Sequence, residues 1–434
     1  MWCSLCLLMH APAFDYLDTA EAVDRFLEQL SGTRAIALDT EGASFHRFVD
    51  RIYLLQLSTD RHDAVIDPLP IGTPDKLGAL LEDRAIEVIL HDADYDLRLL
   101  QQDYGWRVTH LFDTRVAAQL LGIRAFGLAA LLEQFFGLKL DKKHQRADWS
   151  MRPLTADMLD YAAQDTRHLL GLRDRLRDAL VAKGRLHWAQ EEFQRAEGTR
   201  WDVEEPDTSF LRLKGARDLT RRELARLREL VRWRDGIAGE LDRATFRVVG
   251  NEVLFDLVRT VPTTRDGLMS VKGFPRGMSE ARATEALQAL ARGNAVPEGD
   301  LPRFAKSARW DRDPDFDDRV ARLKGVRDAM ATELDLDPGV LCSRDRMEAA
   351  ARRNPRHPDD LLEVAELRRW QVEVLGEGFV KALASFTGSG SGSGTASAPS
   401  TASPSQAAAA TAADTPVATG TASSSDESPY KGDS

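Results

Sequence analysis

Residues 35–41 read AIALDTE and govern the architecture of the block around them. The apolar run Ala35 to Leu38 predicts a buried β-strand, and two acidic residues follow it at once. Because side chains alternate along a strand, residues i and i+2 lie on one face, so Asp39 and Glu41 project together at the end of this strand. Two like charges side by side there are costly unless a cation joins them. The segment therefore predicts a strand that carries ligands for a hard metal ion such as magnesium.

Short apolar runs alternate with longer helical patterns on both sides of this segment. They predict strands at 35–38, 53–57, 64–66 and 88–90, and helices at 20–30, 94–102 and 154–182. Strands interleaved with helices indicate an α/β layer structure. Thr155 is the predicted N-cap of the last helix, with Leu154 and Leu159 as a hydrophobic staple.

Two further acidic residues lie on predicted helices. Asp96 lies at the start of the helix that follows strand 88–90, where Asp92 and Asp94 are explained by the helix dipole but Asp96 fits that reading less well. Tyr161 and Asp165 are spaced i, i+4, so they share a face, which we predict to be opposite the apolar face of helix 154–182.

Four carboxylates and one phenol match the requirements of two-metal phosphodiester cleavage. Two cations about 4 Å apart must be bridged by acidic oxygens, one cation activating water and the other stabilising the leaving oxyanion. The tyrosine can orient the water. A phenol with a pKa near 10 is a poor base at neutral pH, so the metal is the better source of the water's acidity.

The motifs LDTEGASFHR, HDADYDLRLL and YAAQDTRHLL, with ADWSMRPLT before the last, resemble those of the DEDDy exonucleases. Within that group the chain is most similar to bacterial ribonuclease D and the exoribonuclease of the eukaryotic nuclear exosome. The resemblance covers about residues 14–380 and implies an α/β ribonuclease H-like exonuclease domain followed by two all-α HRDC helical modules. It also implies that Asp39, Glu41, Asp96 and Asp165 are the metal-binding acids and Tyr161 the fifth catalytic residue.

Composition divides the chain into four parts. Polar, Pro-containing breaks at 199–209 and 293–302 and a tail rich in Gly, Ser, Thr, Ala and Pro delimit them. The predicted domains are the exonuclease domain at 12–197, HRDC module 1 at 210–292, an HRDC-like module 2 at 303–386 and a disordered tail at 387–434.

The two helical modules carry an internal repeat at a shift of 93 residues. Arg234, Asp235, Ala238, Glu240, Leu241 and Asp242 recur as Arg327, Asp328, Ala331, Glu333, Leu334 and Asp335. This regularity predicts two copies of one module. Val326 replaces the tryptophan found at position 233 of the first copy, so the second has a different partner or only a packing role.

The net charge of −11 does not decide nucleic-acid binding, because local patches do. Nine basic residues lie between 212 and 234, and a second basic stretch begins at Lys142. A charge run on a helix is usually a solvated face, but an excess of arginine beside a nuclease also suits phosphate neutralisation. The predicted nucleic-acid contacts are Lys142, Lys143, Arg146, Arg217, Arg221 and Arg228. We interpret His91 and His168 as hydrogen-bonded structural residues.

Several classes of protein are excluded. No stretch approaches the roughly 18 uninterrupted apolar residues of a membrane span, and the apolar start lacks the basic flank of a signal peptide. The pair Cys3 and Cys6 has no second pair with which to complete a zinc site. We expect a cytoplasmic protein without a membrane partner, structural zinc or a disulfide framework.

Residues and resemblance together predict a metal-dependent 3′–5′ exoribonuclease. It would hydrolyse RNA from a free 3′ end to nucleoside 5′-monophosphates, using two divalent ions, Mg²⁺ or Mn²⁺, in tRNA-type 3′ processing or RNA decay. One alternative is a DNA 3′–5′ exonuclease, since the same carboxylates serve both polymers and recognition of the 2′-OH is not visible in sequence. The other is a catalytically silent RNA-binding adaptor, against which the five intact site residues argue.

Overall fold

The computed structural model describes residues 14–141, 143–201, 208–304 and 313–384, and their first block is built on one mixed β-sheet. The strands are β1 (Asp15–Leu17), β2 (Ala35–Glu41), β3 (Leu54–Ser58), β4 (Asp63–Ile66), β5 (Glu87–Leu90) and β6 (Leu111–Asp113). The helices of this block are α1 (Ala20–Gln29), α2 (Pro68–Ile71), α3 (Asp75–Leu81), α4 (Asp94–Tyr104), α5 (Thr114–Leu120), α6 (Leu128–Phe136), α7 (Ala156–Arg167), α8 (Leu169–Ala182) and α9 (Leu186–Ala196).

The sheet order is β1-β4-β3-β2-β5-β6, which places β2 inside the sheet. β2 pairs antiparallel with β3 and parallel with β5, and Asp39 stands opposite Gln56. Ile36 and Leu38 are fully buried, which explains why the apolar run forms an interior strand. The four predicted strands are present, whereas β1 and β6, three residues each, were not predicted because so short a run carries no periodicity.

The single helix predicted over 154–182 is wrong: the segment forms two helices, α7 and α8, separated at His168. The backbone of His168 leaves helical geometry, with φ −105° and ψ 0°. The physical reason is that the two halves pack on different partners. Both helices contact β2, but α7 otherwise lies against β3 and β4, whereas α8 lies against α5, α6, α9 and β5. The predicted N-cap is confirmed, since the Thr155 side chain accepts a hydrogen bond from the Met158 amide.

The first helical module contains α10 (Arg221–Glu240), α11 (Thr245–Val248), α12 (Asn251–Thr260), α13 (Arg265–Ser270) and α14 (Glu280–Ala295). Thr220 and Glu223 form a capping box that starts α10. Trp233 fills the contact between α10 and α14, and its indole N–H donates to the Arg282 carbonyl over 3.1 Å.

The second helical module contains α15 (Phe316–Glu333), α16 (Pro338–Leu341), α17 (Arg344–Arg353) and α18 (Arg369–Ala384). The backbone repeats the 93-residue shift, because left-handed residues Asp242 and Val261 recur as Asp335 and Asn354, with φ between 43° and 52°.

An α/β block followed by two helical modules confirms the predicted fold class. The elements lie inside the predicted boundaries except α14, which runs three residues past 292 to Ala295; the boundaries stay predictions, and the tail at 387–434 lies outside the described residues. Within the described ranges, every helix is too short or too polar to cross a membrane.

The second module packs on the exonuclease block rather than forming a separate core. Trp370, buried, stacks on Trp188 of α9 with ring centroids 4.8 Å apart. Its indole N–H donates to Glu192 over 3.0 Å, and its amide donates to Glu191 over 3.0 Å. These contacts cap the start of α18 with acidic side chains of α9, so the second copy has a packing role.

We expect Trp370→Ala to lower the free energy of unfolding by about 3–5 kcal/mol, because it empties a buried site and removes the indole N–H, one of the donors to the carboxylate of Glu192. Urea denaturation measures the change. Trp201→Ala is the matched control, since Trp201 is 41% exposed, and it should cost under about 1 kcal/mol. Equal losses in the two variants would contradict the packing of this module on α9.

Candidate active site

The carboxyl end of β2 presents two of the predicted acids on one face. Asp39 and Glu41 are half-buried, while Thr40 between them is buried on the other face. Asp165 of α7 joins them, and one carboxylate oxygen from each of the three residues lies within 4.8 Å of the others. Such a group of oxygens can hold a divalent cation.

Asp96 lies beside this group and is fixed by β2 itself. Its Oδ1 accepts the Thr40 amide over 3.1 Å and the Thr40 hydroxyl over 2.5 Å. α4 begins two residues earlier, so the first turn of this helix delivers the carboxylate to the strand. Thr40 was not singled out in the sequence, although its position inside the D-x-E segment was the available signal.

Tyr161 and Asp165 do share a face of α7, but the prediction that this face is opposite the apolar one is wrong. Both residues are half-buried at the margin of the face that packs on the sheet, because α7 crosses β2 beside Asp39. The Tyr161 ring lies 5.8 Å from that of His144 and 6.1 Å from that of Trp149, measured between centroids. These rings hold the phenol at the edge of the acidic group.

The surroundings of the four acids disfavour the ionised form of each. Burial and the neighbouring carboxylates raise the pKa of Asp39 and of Glu41 well above the usual range. Burial also raises the pKa of Asp96 to about 7, although hydrogen bonds from Thr40 act in the opposite direction. The pKa of Asp165 is raised to about 7 by burial. Without a cation, the site therefore tends to retain protons.

The Tyr161 phenol stays protonated across the neutral range. Burial raises its pKa above the ordinary value, and the carboxylates of Asp165, Glu41 and Asp39 raise it further. The side chain can therefore donate a hydrogen bond but does not act as a base.

Asp113 supports Asp96 from the end of β6, a role the sequence did not reveal. Its buried carboxylate accepts the amides of Asp92 and Ala93 over 3.1 and 2.9 Å, and it also caps α5. These bonds fix the turn from which α4 starts. His91 is structural as interpreted: its Nδ1 lies 2.8 Å from the Thr114 hydroxyl, and burial lowers its pKa to about 4.

A cavity of about 280 Å³ opens beside Glu41. It is lined by the turn after β2, Phe45 and His46 among it, and by Gln145, Arg146 and Trp149. The first helical module holds this turn in place. Asp242 accepts the Phe48 amide over 3.3 Å and ion-pairs with Arg47 over 3.3 Å. The His46 carbonyl accepts the Ala244 amide over 3.1 Å.

The predicted nucleic-acid residues lie in two places. Lys143 forms an ion pair with Asp157, and the Arg146 guanidinium lies 5.4 Å from the Phe45 ring at the cavity, whereas Lys142 lies outside the described residues. On the first helical module, Arg217 stacks on Phe304 at 5.0 Å, Arg221 donates to the Leu301 carbonyl over 2.7 Å, and Arg228 ion-pairs with Glu229 over 3.3 Å.

Part of the basic run is structural. Arg222 and Arg226 donate to the carbonyls of Val296 and Val258, and Arg234 is buried against Asn251. The run at 212–234 therefore carries fewer free charges than its composition suggests.

Family models match three segments of the chain. One described as 3′–5′ exonuclease matches residues 14–181, and one described as HRDC domain matches residues 223–290 and 316–383. Ribonuclease D of Gluconacetobacter diazotrophicus is 30% identical over 338 residues, which are 77% of this chain and 85% of the relative. The yeast exosome complex exonuclease RRP6 is 30% identical over 272 residues, covering 59% of this chain and 37% of that protein.

Solved structures give the same result. The crystal structure of Escherichia coli RNase D, described as an exoribonuclease involved in structured RNA processing, matches with a TM-score of 0.65 and 26% identity, over 86% of this chain and 99% of that one. A Bifidobacterium adolescentis protein matches with a TM-score of 0.70 and 28% identity, over 86% and 97%. With its acidic site on an exonuclease sheet and two HRDC modules behind it, the chain belongs to the ribonuclease D family of 3′–5′ exoribonucleases.

Proposed function

We propose that Asp39, Glu41, Asp96 and Asp165 hold two divalent cations and that Tyr161 orients the attacking water. The enzyme then removes nucleoside 5′-monophosphates from RNA with a free 3′ end. The observation that carries this proposal is the convergence of three carboxylate oxygens within 4.8 Å, with the fourth acid fixed to the same strand by Thr40. The trimming of structured RNA precursors is supported by the similarity to the Escherichia coli enzyme, an exoribonuclease involved in structured RNA processing.

The site fits divalent ions on two grounds. First, besides burial, the acids raise one another's pKa, so a cation would relieve the repulsion among them. Second, the amide of Gln56, opposite Asp39 in the sheet, is buried, and both of its polar atoms lack a hydrogen-bond partner within the described residues. A hydrated ion beside it would satisfy those atoms. Magnesium and manganese both suit a donor set made of carboxylate oxygens.

The residues of the chain divide the work. Bound cations would supply positive charge that acidifies the water and stabilises the leaving oxygen. Tyr161 keeps its proton, so its hydroxyl donates a hydrogen bond that fixes the position of the water. Thr40 binds the Asp96 carboxylate directly, and Asp113 fixes the turn before α4, so together they limit the motion of Asp96.

The cavity beside Glu41 is the proposed seat of the 3′-terminal nucleotide. Its lining combines an exposed aromatic ring, that of Phe45, with the guanidinium of Arg146. Rings of this kind stack on unpaired bases, and a guanidinium neutralises phosphate. Lys143 and Lys142 would steer the strand toward the cavity, and Arg217, Arg221 and Arg228 would hold RNA farther from its end.

The first experiment is cleavage of 5′-end-labelled and 3′-end-labelled RNA and DNA of equal length, with magnesium or with chelator. We expect stepwise shortening of 5′-labelled RNA, immediate release of labelled mononucleotide from 3′-labelled RNA, and no reaction with chelator. Faster shortening of DNA would establish the alternative substrate.

Asp39→Asn should lower the rate of cleavage by at least about 10³-fold, since it removes one negative charge from the four acids proposed to hold the cations.

The same substitution should stabilise the metal-free protein. Burial and the neighbouring carboxylates raise the pKa of Asp39, so ionising it costs stability, and its amide analogue should raise the Tm at alkaline pH by roughly 2–4 °C per kcal/mol relieved. As the pH falls, Asp39 takes up its proton in the folded protein first, and the difference should vanish in acid, where the unfolded chain is protonated as well. A lower Tm for Asp39→Asn at pH 8 would contradict the repulsion.

Metal affinity should depend on pH. The acids must lose protons to bind cations, and the pKa values of Asp96 and Asp165 are raised to about 7, so the apparent Kd for Mn²⁺ should fall by roughly tenfold or more from pH 6 to pH 8. Electron paramagnetic resonance of free Mn²⁺ measures this dependence. A constant Kd across this range would show that the acids are already ionised.

Tyr161→Phe removes one hydroxyl and keeps the ring between His144 and Trp149. We expect the single-turnover rate constant to fall by about 10²- to 10⁴-fold, while RNA affinity measured in calcium stays unchanged. Phe136→Leu, at a 38% exposed ring on α6, is the control for ring substitutions and should retain the full rate. An unchanged rate constant in Tyr161→Phe would remove the residue from the mechanism.

A further inference from the structure

A second cavity, of about 840 Å³, lies at the other end of the strands from the acids, where the strands begin. Its floor is formed by the first residues of three strands: Ala35 of β2, Glu87 of β5 and Leu111 of β6. Asp39 stands four residues farther along β2, which is roughly 13 Å at the rise of a strand. The cavity is therefore distinct from the site described above.

Two helices supply the walls. α8 contributes Arg173 and Arg177, spaced i, i+4 on one face. α9 contributes the face that contains Leu186, Gln190, Phe193 and Gln194, whose spacing is again helical. A volume of this size suits a small ligand, and the combination of apolar, amide and cationic groups suits one with both a ring and an anionic group.

The cavity carries an excess of positive charge. Four guanidinium groups, from Arg34, Arg84, Arg173 and Arg177, face the carboxylates of Glu87 and Glu197, and Asp174 also pairs with Arg173 over 2.7 Å, which leaves one positive charge. Arg173 and Arg177 both pair with Glu87, which is buried, and Arg177 also lies 5.1 Å from the centre of the Phe112 ring. These two arginines are thereby held rigidly toward the cavity.

The side chains of Arg34 and Arg84 make no polar contact among the described residues. Both are exposed, and within the described ranges neither side chain has a hydrogen bond or an ion pair. They lie just before the neighbouring strands β2 and β5 and line the same concave surface as Arg173 and Arg177 of α8. A concave cationic surface concentrates anions, and guanidinium groups match phosphate oxygens in pairs.

We propose that this cavity binds a nucleotide, with its phosphate on the arginines and its base against the Leu186–Phe193 face of α9. Gln190 and Gln194 offer both donors and acceptors to the edge of a base. Two sources share this chemistry: the monophosphate released by the enzyme and a free nucleoside polyphosphate.

Equilibrium dialysis of the full chain with radiolabelled AMP or ADP, in the presence of chelator, tests the proposal. Chelator removes binding through cations at the acids, so the result does not depend on the proposed function. We expect Arg34→Glu and Arg84→Glu each to raise the Kd at least about tenfold, since each removes a charge-assisted contact. Arg25→Glu, at an exposed arginine of α1, should leave the Kd unchanged, and so should Asp39→Asn.

Tighter binding of AMP would identify the product as the ligand, and tighter binding of ADP would identify a polyphosphate; either result supports the site. Unchanged binding in both Arg→Glu variants, with melting temperatures equal to that of the parent, would overturn it. Loss of binding in Asp39→Asn would assign the nucleotide to the acids instead. Equal displacement by inorganic phosphate at the same concentration would also overturn the assignment to a nucleotide.

Discussion

Repulsion among the carboxylates at the end of β2 is the constraint on which the rest of the structure depends. Asp39 and Glu41 are fixed side by side because a strand in the middle of the sheet leaves no freedom at its end. α7 adds Asp165 to the same space, and α4 adds Asp96 through Thr40. An arrangement so unfavourable without cations persists only because the buried sheet beneath it supplies the stability.

The two helical modules support this arrangement in different ways. The first reaches the turn after β2 through Asp242 and Ala244, so it fixes the wall of the cavity beside Glu41. The second joins the hydrophobic core through Trp370 on Trp188, and the acids of α9 cap its last helix. Copies of one module thus make different contacts: Trp233 lies between α10 and α14 within the first module, whereas Trp370 joins the second module to α9.

Charge is unevenly distributed along the strands of the sheet. The ends of β2 and β6 carry the acids of the candidate active site and Asp113, whereas Arg34 and Arg84 precede β2 and β5, beside the buried Glu87 that begins β5. A net charge of −11 conceals this separation, because it averages the acidic and basic regions of the whole chain. Local potential rather than net charge governs which groups of a nucleic acid each region can approach.

The sequence by itself determined the alternating elements and the repeat of 93 residues, and it singled out the acids proposed as metal ligands, because periodicity, repeated residues and D-x-E after an apolar strand are local patterns. It did not determine the break at His168, the strands β1 and β6, or the bonds from Thr40 and Asp113 to the acid-bearing helix, because each depends on a partner distant in the chain. The same holds for the arginines: only packing decides that the side chains of Arg226 and Arg234 bond internally, while those of Arg34 and Arg84 have no partner among the described residues. Residue types fix which chemistry is available, whereas burial and long-range contacts decide which side chains meet, and only the tertiary structure contains those contacts.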